Sequence, residues 1–171
     1  AEVAERLRAL TPHACKTVCV TGGEPTLQWS GELAQALHAA LFSEVHMETN
    51  GTTAEDLPGV DWVTLSPKRD RAGNWTHVRH SADELKVVHS GHYQRLFARD
   101  LRALQEDVRA EHYFVQPCDE SAGLVSLGRA PRPDFDAENL SAAAALVLGA
   151  GAPWRLSTQQ NKLARLPEAR Q

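Results

Sequence analysis

The chain has 171 residues, 42% hydrophobic and 23% charged, enough apolar material for one sizeable core and too much for a disordered chain. A net charge of −4 argues against a broad nucleic-acid surface, and no apolar run is long enough for a helix to cross a bilayer. Three cysteines make no paired framework, so a reducing cytoplasm is the expected compartment.

In chain order, residues 4–10 read as the end of a helix and 17–21 as a buried, Val-rich strand. Residues 30–42 carry leucines at 33, 37 and 41, a helical spacing, with Ser30 as the cap. Residues 44–48 form a strand closed by Asn50-Gly51, and 61–65 form another that ends at Ser66-Pro67. A fourth strand is expected over 84–88. Residues 93–108 form an amphipathic helix with Leu96, Phe97, Leu101, Leu104 and Val108 on one side. A fifth strand over 112–116, an Ala-rich helix over 139–148 and a sixth strand over 154–157 follow, with 123–136 the most loop-like stretch. Such alternation predicts an α/β fold with a mostly parallel sheet, because parallel strands need crossovers. In these sheets ligands sit beyond the carboxyl ends of the strands.

Polar residues collect at those ends: Thr21-Gly22-Gly23-Glu24-Pro25, Glu48-Thr49-Asn50-Gly51, Ser66-Pro67-Lys68, His89-Ser90 and Gln116-Pro117-Cys118-Asp119. Taken singly each is ordinary; Gly-Gly is as well a plain turn. Together they exceed what loops require. Gly22 and Gly23 have no Cβ to keep a ligand off the main chain. Glu24, an acceptor-only carboxylate, suits an ammonium group and would repel a phosphate. An amino-acid head group is the expected ligand.

TGGEPTLQ, METNGT, LSPK, ELKVV and YFVQPCD, in this order, resemble the radical S-adenosylmethionine superfamily and, within it, the 7-carboxy-7-deazaguanine synthase family, over residues 17–166. The resemblance implies one incomplete parallel β/α barrel over 1–171, its first strand and cluster loop missing. It implies that Gly22, Gly23 and Glu24 hold the amino end of S-adenosylmethionine. Ser66, Pro67 and Lys68 would make a second contact, and Gln116, Pro117, Cys118 and Asp119 a third. Glu48 and Asn50 would support the cofactor, and Thr21 and Pro167 would touch the pterin substrate. The implied reaction is a carbon–nitrogen lyase step. With a 4Fe–4S cluster and magnesium, 6-carboxy-5,6,7,8-tetrahydropterin becomes 7-carboxy-7-deazaguanine and ammonia is lost. A reductant such as flavodoxin, a homodimer and a role in queuosine-type 7-deazapurine biosynthesis come with it.

The cluster needs three cysteine thiolates. Cys15 and Cys19 have a suitable gap, but Gly22 stands where the third belongs, and Cys118 is remote. The ligands are expected in an N-terminal segment absent from this sequence, which lacks an initiator Met; the 171 residues alone would be inactive, with no metal ligand of their own. Cys19, within an apolar strand, is expected to be buried. The alternative is a cluster-less module that binds S-adenosylmethionine or a pterin without turnover. Near the end, Asn161 stands where the family pattern has His, and four residues follow Pro167. The spacings His77-x2-His80 and His89-x2-His92 lack companion ligands and read as solvent-facing.

Overall fold

The computed structural model describes residues 2–12, 14–53, 56–119 and 137–158. Its elements are α1 (Glu2–Leu10), β1 (Thr17–Val20), α2 (Gly31–Ala39), β2 (Glu44–Thr49), β3 (Trp62–Leu65), β4 (Ser81–His89), α3 (Ala98–Asp107), β5 (Arg109–Pro117), α4 (Ala137–Ala150) and β6 (Trp154–Leu156). The strands follow the order β1-β2-β3-β4-β5-β6, so neighbours in sequence are neighbours in the sheet. β1–β2, β2–β3, β3–β4 and β5–β6 pair in parallel. Along β4 and β5 the Arg109 amide donates to the His80 carbonyl at 2.9 Å and the Cys118 amide to the His89 carbonyl at 2.7 Å. Both chains advance together between those bonds, as parallel strands do. The fold is the expected α/β, with an open sheet. It divides into two compact units, Ala1–Leu85 with Val108–Glu111 and Lys86–Asp107 with His112–Gln171.

In the first unit, period-two alternation decides the faces. Val45, Met47 and Thr49 of β2 are buried, and the register sets Val18 and Val20 beside Val45 and Met47. Helices α1 and α2 serve this side: Ala4, Leu37, Phe42 and Val45 form a buried cluster with Leu7, Val18, Val20, Trp29 and Leu33 packed against it. The same register puts Thr17, Cys19, Glu44, His46, Glu48, Trp62 and Thr64 on the opposite side. Parallel sheets are ordinarily apolar on both faces, so this polar side sets the sheet apart. It also corrects the expectation for Cys19, which alternates onto the polar face and is exposed. The ring of His46 stacks on Trp62 there, with centroids 6.0 Å apart.

Helix α2 starts as expected: the Ser30 hydroxyl accepts the Leu33 amide at 3.2 Å. It stops at Ala39, earlier than the leucine spacing suggests. Leu41 takes a φ of 68°, a left-handed conformation that ends helices, and its side chain stays 65% exposed. His38, in the last turn of α2, reaches the Phe42 carbonyl at 3.0 Å and the Gly59 carbonyl at 3.2 Å, which holds the helix end to the loop before β3.

In the second unit, Leu101, Leu104, Val115, Ala143 and Trp154 are buried, and the Trp154 indole donates to Gln105 at 3.1 Å. Helix α3 begins at Ala98, not at residue 93. The Phe97 amide donates to the Asp100 carboxylate at 2.7 Å, a reciprocal cap that fixes the start. Phe97 therefore leaves the apolar stripe; it is 44% exposed, under the guanidinium groups of Arg95 and Arg99. The histidine pairs split where solvent exposure was expected. His77 and His89 are buried, His80 and His92 exposed, and His89 Nδ1 accepts the Leu96 amide at 3.3 Å. Among the described residues no helix is long and apolar enough to cross a membrane.

Leu37→Ala should lower stability by about 2–5 kcal/mol, through the lost burial and the cavity left in the α2 cluster. Urea unfolding of the two proteins checks this; a loss under about 1 kcal/mol would show that α2 packs more loosely than described.

Candidate active site

The site is built from the carboxyl ends of three adjacent parallel strands, β1, β2 and β3. Thr21, Gly22, Gly23, Glu48, Thr49, Asn50, Ser66 and Lys68 line one cleft of about 260 Å³. Gly22 has a φ of 95°, which favours glycine. A Cβ at Gly22 or Gly23 would meet nothing within 4 Å, so no packing excludes a side chain there. The bare backbone faces open space, where a ligand could lie against it. The Lys68 ammonium donates to the Ser66 hydroxyl at 2.9 Å. The Ser66 amide donates to the Thr49 carbonyl at 2.7 Å, extending the β2–β3 ladder to the rim.

Glu24 behaves differently from the residues beside it. It is not among those lining the cleft; it borders a second hollow of about 310 Å³ that shares Thr21, Gly22 and Gly23 with the cleft and is completed by Val20, Pro25, Gln28, Trp29 and Leu33. Its Oε1 accepts the Thr26 hydroxyl at 2.6 Å, the Thr26 amide at 3.2 Å and the Thr49 hydroxyl at 2.6 Å. Its Oε2 accepts the Asn50 amide at 2.8 Å. The carboxylate therefore ties the turn after β1 to the end of β2. Partial burial pushes the carboxyl up, but the Thr26 and Thr49 hydroxyls and the Asn50 and Thr26 amides outweigh it, holding it below its ordinary 4.5. A short 3-10 turn, Pro25–Leu27, follows and uses Glu24 as its cap.

Gly51 completes the corner after β2. Its φ is 75°, and an added Cβ would collide with Leu65 Cδ1 and stand 3.1 Å from His77 Cβ. Its amide donates to the Thr49 hydroxyl at 3.0 Å and its carbonyl accepts the Val78 amide at 2.8 Å.

The structure thus brings together Thr21, Gly22, Gly23, Glu48, Asn50, Ser66 and Lys68. Pro67 is fully buried and is not among the lining residues. Gln116, Pro117, Cys118 and Asp119 belong to the second unit, at the end of β5. Pro167 and Asn161 lie outside the described residues. Three side chains not among the expected ligand contacts, Thr49 of the strand-end group and Thr26 and Asn139, organise the strand ends. Thr26 and Thr49 hold Glu24; Thr49 was detectable as the hydroxyl in the otherwise apolar series Val45, Met47, Thr49. Asn139 of α4, 4% exposed, accepts the Gly91 amide at 2.9 Å and donates to the Cys118 carbonyl at 3.0 Å. It joins the ends of β4 and β5 within the second unit, and only its place in the first turn of an Ala-rich helix hinted at it.

The fold and the cleft define a parallel α/β protein whose ligand site sits at the carboxyl ends of its strands. No family model matches the chain. It is 38% identical over 115 residues to a 7-carboxy-7-deazaguanine synthase of Bacteroides thetaiotaomicron, which covers 67% of this chain and 55% of that protein. With the enzyme of the same name from Rhodospirillum rubrum it shares 31% identity over 173 residues, covering 91% of this chain and 67% of that one. The crystal structure of QueE from Escherichia coli superposes with a TM-score of 0.61 at 23% identity, covering 91% of this chain and 63% of that one, a likeness of fold. The chain belongs to the 7-carboxy-7-deazaguanine synthase family and spans a little over half to two thirds of the length of these relatives.

Because folding depresses the Glu24 carboxyl below 4.5, its contribution to stability is present above that pH and lost as the pH falls through the lower folded value. The stability advantage of the parent over Glu24→Gln should therefore hold from neutral pH down to about 4.5 and shrink below it, measured by urea unfolding across the range. An advantage that grows in acid would contradict the bonding described.

Proposed function

We propose that the cleft holds the amino-acid end of S-adenosylmethionine. The observation that carries this reading is the joint presence, around one open glycine turn, of a cation, a carboxylate, an amide and hydroxyls at three neighbouring strand ends. A zwitterionic head group needs both signs of charge within a few ångströms, and main chain bared at Gly22 and Gly23 supplies further donors and acceptors. Lys68 with Ser66 suits the carboxylate end; Glu48 and Asn50 suit the polar remainder. Thr21, first residue of the turn, is assigned to the pterin substrate by resemblance, as Pro167 is. Gln116, Pro117, Cys118 and Asp119 stay assigned to the cofactor on the same ground.

For the whole protein we propose the family's reaction: conversion of 6-carboxy-5,6,7,8-tetrahydropterin to 7-carboxy-7-deazaguanine with loss of ammonia, aided by magnesium, fed by a reductant such as flavodoxin, in a homodimer. A 4Fe–4S cluster supplies the electron for that chemistry when bound. The cysteines described do not fit one. The Cys15 thiol donates to the Thr17 carbonyl, Cys19 lies in β1, and among the described residues no close group of three potential ligands contains a cysteine. This chain's own part is to bind and orient the nucleoside.

Titration calorimetry should show S-adenosylmethionine binding, weakened about tenfold or more in Lys68→Met, the scale of a lost charge-assisted hydrogen bond. Absence of binding, or an unchanged affinity in the variant, would overturn the assignment. Anaerobic iron and sulfide reconstitution of these 171 residues should yield no stable cluster. A cysteine-dependent charge-transfer band would contradict this account of the thiols.

A further inference from the structure

We propose that Glu24 is a positioning residue: its carboxylate pins the end of β2 to the Gly22-Gly23 turn, and this clasp, not a bond to the ammonium group of the ligand, is its main contribution to the site. The direct contact implied by residue type competes with four donors already in place. A carboxylate offers about four lone-pair sites. The Thr26 amide, the Thr26 hydroxyl and the Thr49 hydroxyl converge on Oε1, which leaves that oxygen no site, and the Asn50 amide takes one of the two sites of Oε2.

These donors are not free to turn away. Two are main-chain amides. Each hydroxyl has a single hydrogen, and its direction is fixed from behind. The Thr49 oxygen accepts the Gly51 amide at 3.0 Å, and the Thr26 oxygen accepts the Thr53 hydroxyl at 2.9 Å. Both hydrogens are thereby committed to Glu24. Thr26 and Thr49 are 3% and 2% exposed, so water cannot take over their bonds. The carboxylate is not among the residues that line the cleft; it borders the second hollow, which shares Thr21, Gly22 and Gly23 with the cleft.

The pattern explains why an acid, and not an amide, stands at this position. All four partners are donors, and only an ionised carboxylate is acceptor at both oxygens. Glutamine would set an NH2 against the Asn50 amide or against the Thr26 and Thr49 donors, leaving at least one of them without an acceptor. The expected consequence is a shifted turn and a displaced Asn50, both of which border the cleft.

The ligand part of this proposal rests on the S-adenosylmethionine reading, and the test separates the two. Calorimetry of the parent, Glu24→Gln and Thr26→Val is run with S-adenosylmethionine and with its analogue lacking the α-amino group. A positioning role predicts that Glu24→Gln weakens both ligands by the same factor, about tenfold or more, and that Thr26→Val, which does not border the cleft, weakens both as well. Loss confined to the amine-bearing ligand in Glu24→Gln, or unchanged or tighter binding in Thr26→Val, where a lone pair has been freed, would overturn it. Amide hydrogen exchange of the ligand-free chain supplies the independent readout. The Asn50 amide should exchange about tenfold faster in Glu24→Gln, and unchanged exchange would sink the clasp. If the parent binds neither nucleoside the cofactor reading fails alone, and the exchange result still decides the role of Glu24.

Discussion

A single carboxylate holds the candidate site in shape. Glu24 leaves the first strand end and collects donors from its own turn, from the last residue of β2 and from the residue beyond it. Hydrogen-bond ladders define a sheet only along its strands; past the carboxyl ends the chain must find other partners for its amides. Glu24 supplies them for Thr26 and Asn50. The cleft between β1, β2 and β3 keeps its outline because the turn on one side and the corner on the other share this acceptor.

The second unit solves the same problem with different chemistry. Asn139 meets one donor, the Gly91 amide, and one acceptor, the Cys118 carbonyl. An amide offers both functions, where a carboxylate would have repelled the carbonyl. In each unit a polar side chain stitches two successive strand ends, and its type follows from whether those ends present donors alone or a donor and an acceptor.

The strand–helix alternation was legible because apolar periodicity marks elements directly, and the strand ends followed from it. Boundaries failed where local capping overruled periodicity. Asp100 begins α3 later than its apolar stripe suggests, and Leu41 ends α2 by turning left-handed although it sits at a helical leucine spacing. The exposure of Cys19 is hidden in the sequence because a Val-rich strand looks buried on both faces; only the pairing of Thr17 and Cys19 with Glu44 and His46 on the neighbouring strand reveals the polar one. Of the site, the residues that gather at the cleft were readable as strand-end polar groups. The partners of Glu24 were not, since sequence gives the type of a side chain and not which donors surround it. Thr26 and Thr49 are distant from one another in the chain, and their convergence on one oxygen is a product of the parallel pairing.

The most direct test of this account is a crystal structure of the chain with S-adenosylmethionine bound. The account predicts the methionine end of the nucleoside against the bare main chain of Gly22 and Gly23, with the Glu24 carboxylate still accepting from Thr26, Thr49 and Asn50. An ammonium group within hydrogen-bond distance of Glu24, with the Thr49 hydroxyl displaced from it, would contradict the central claim.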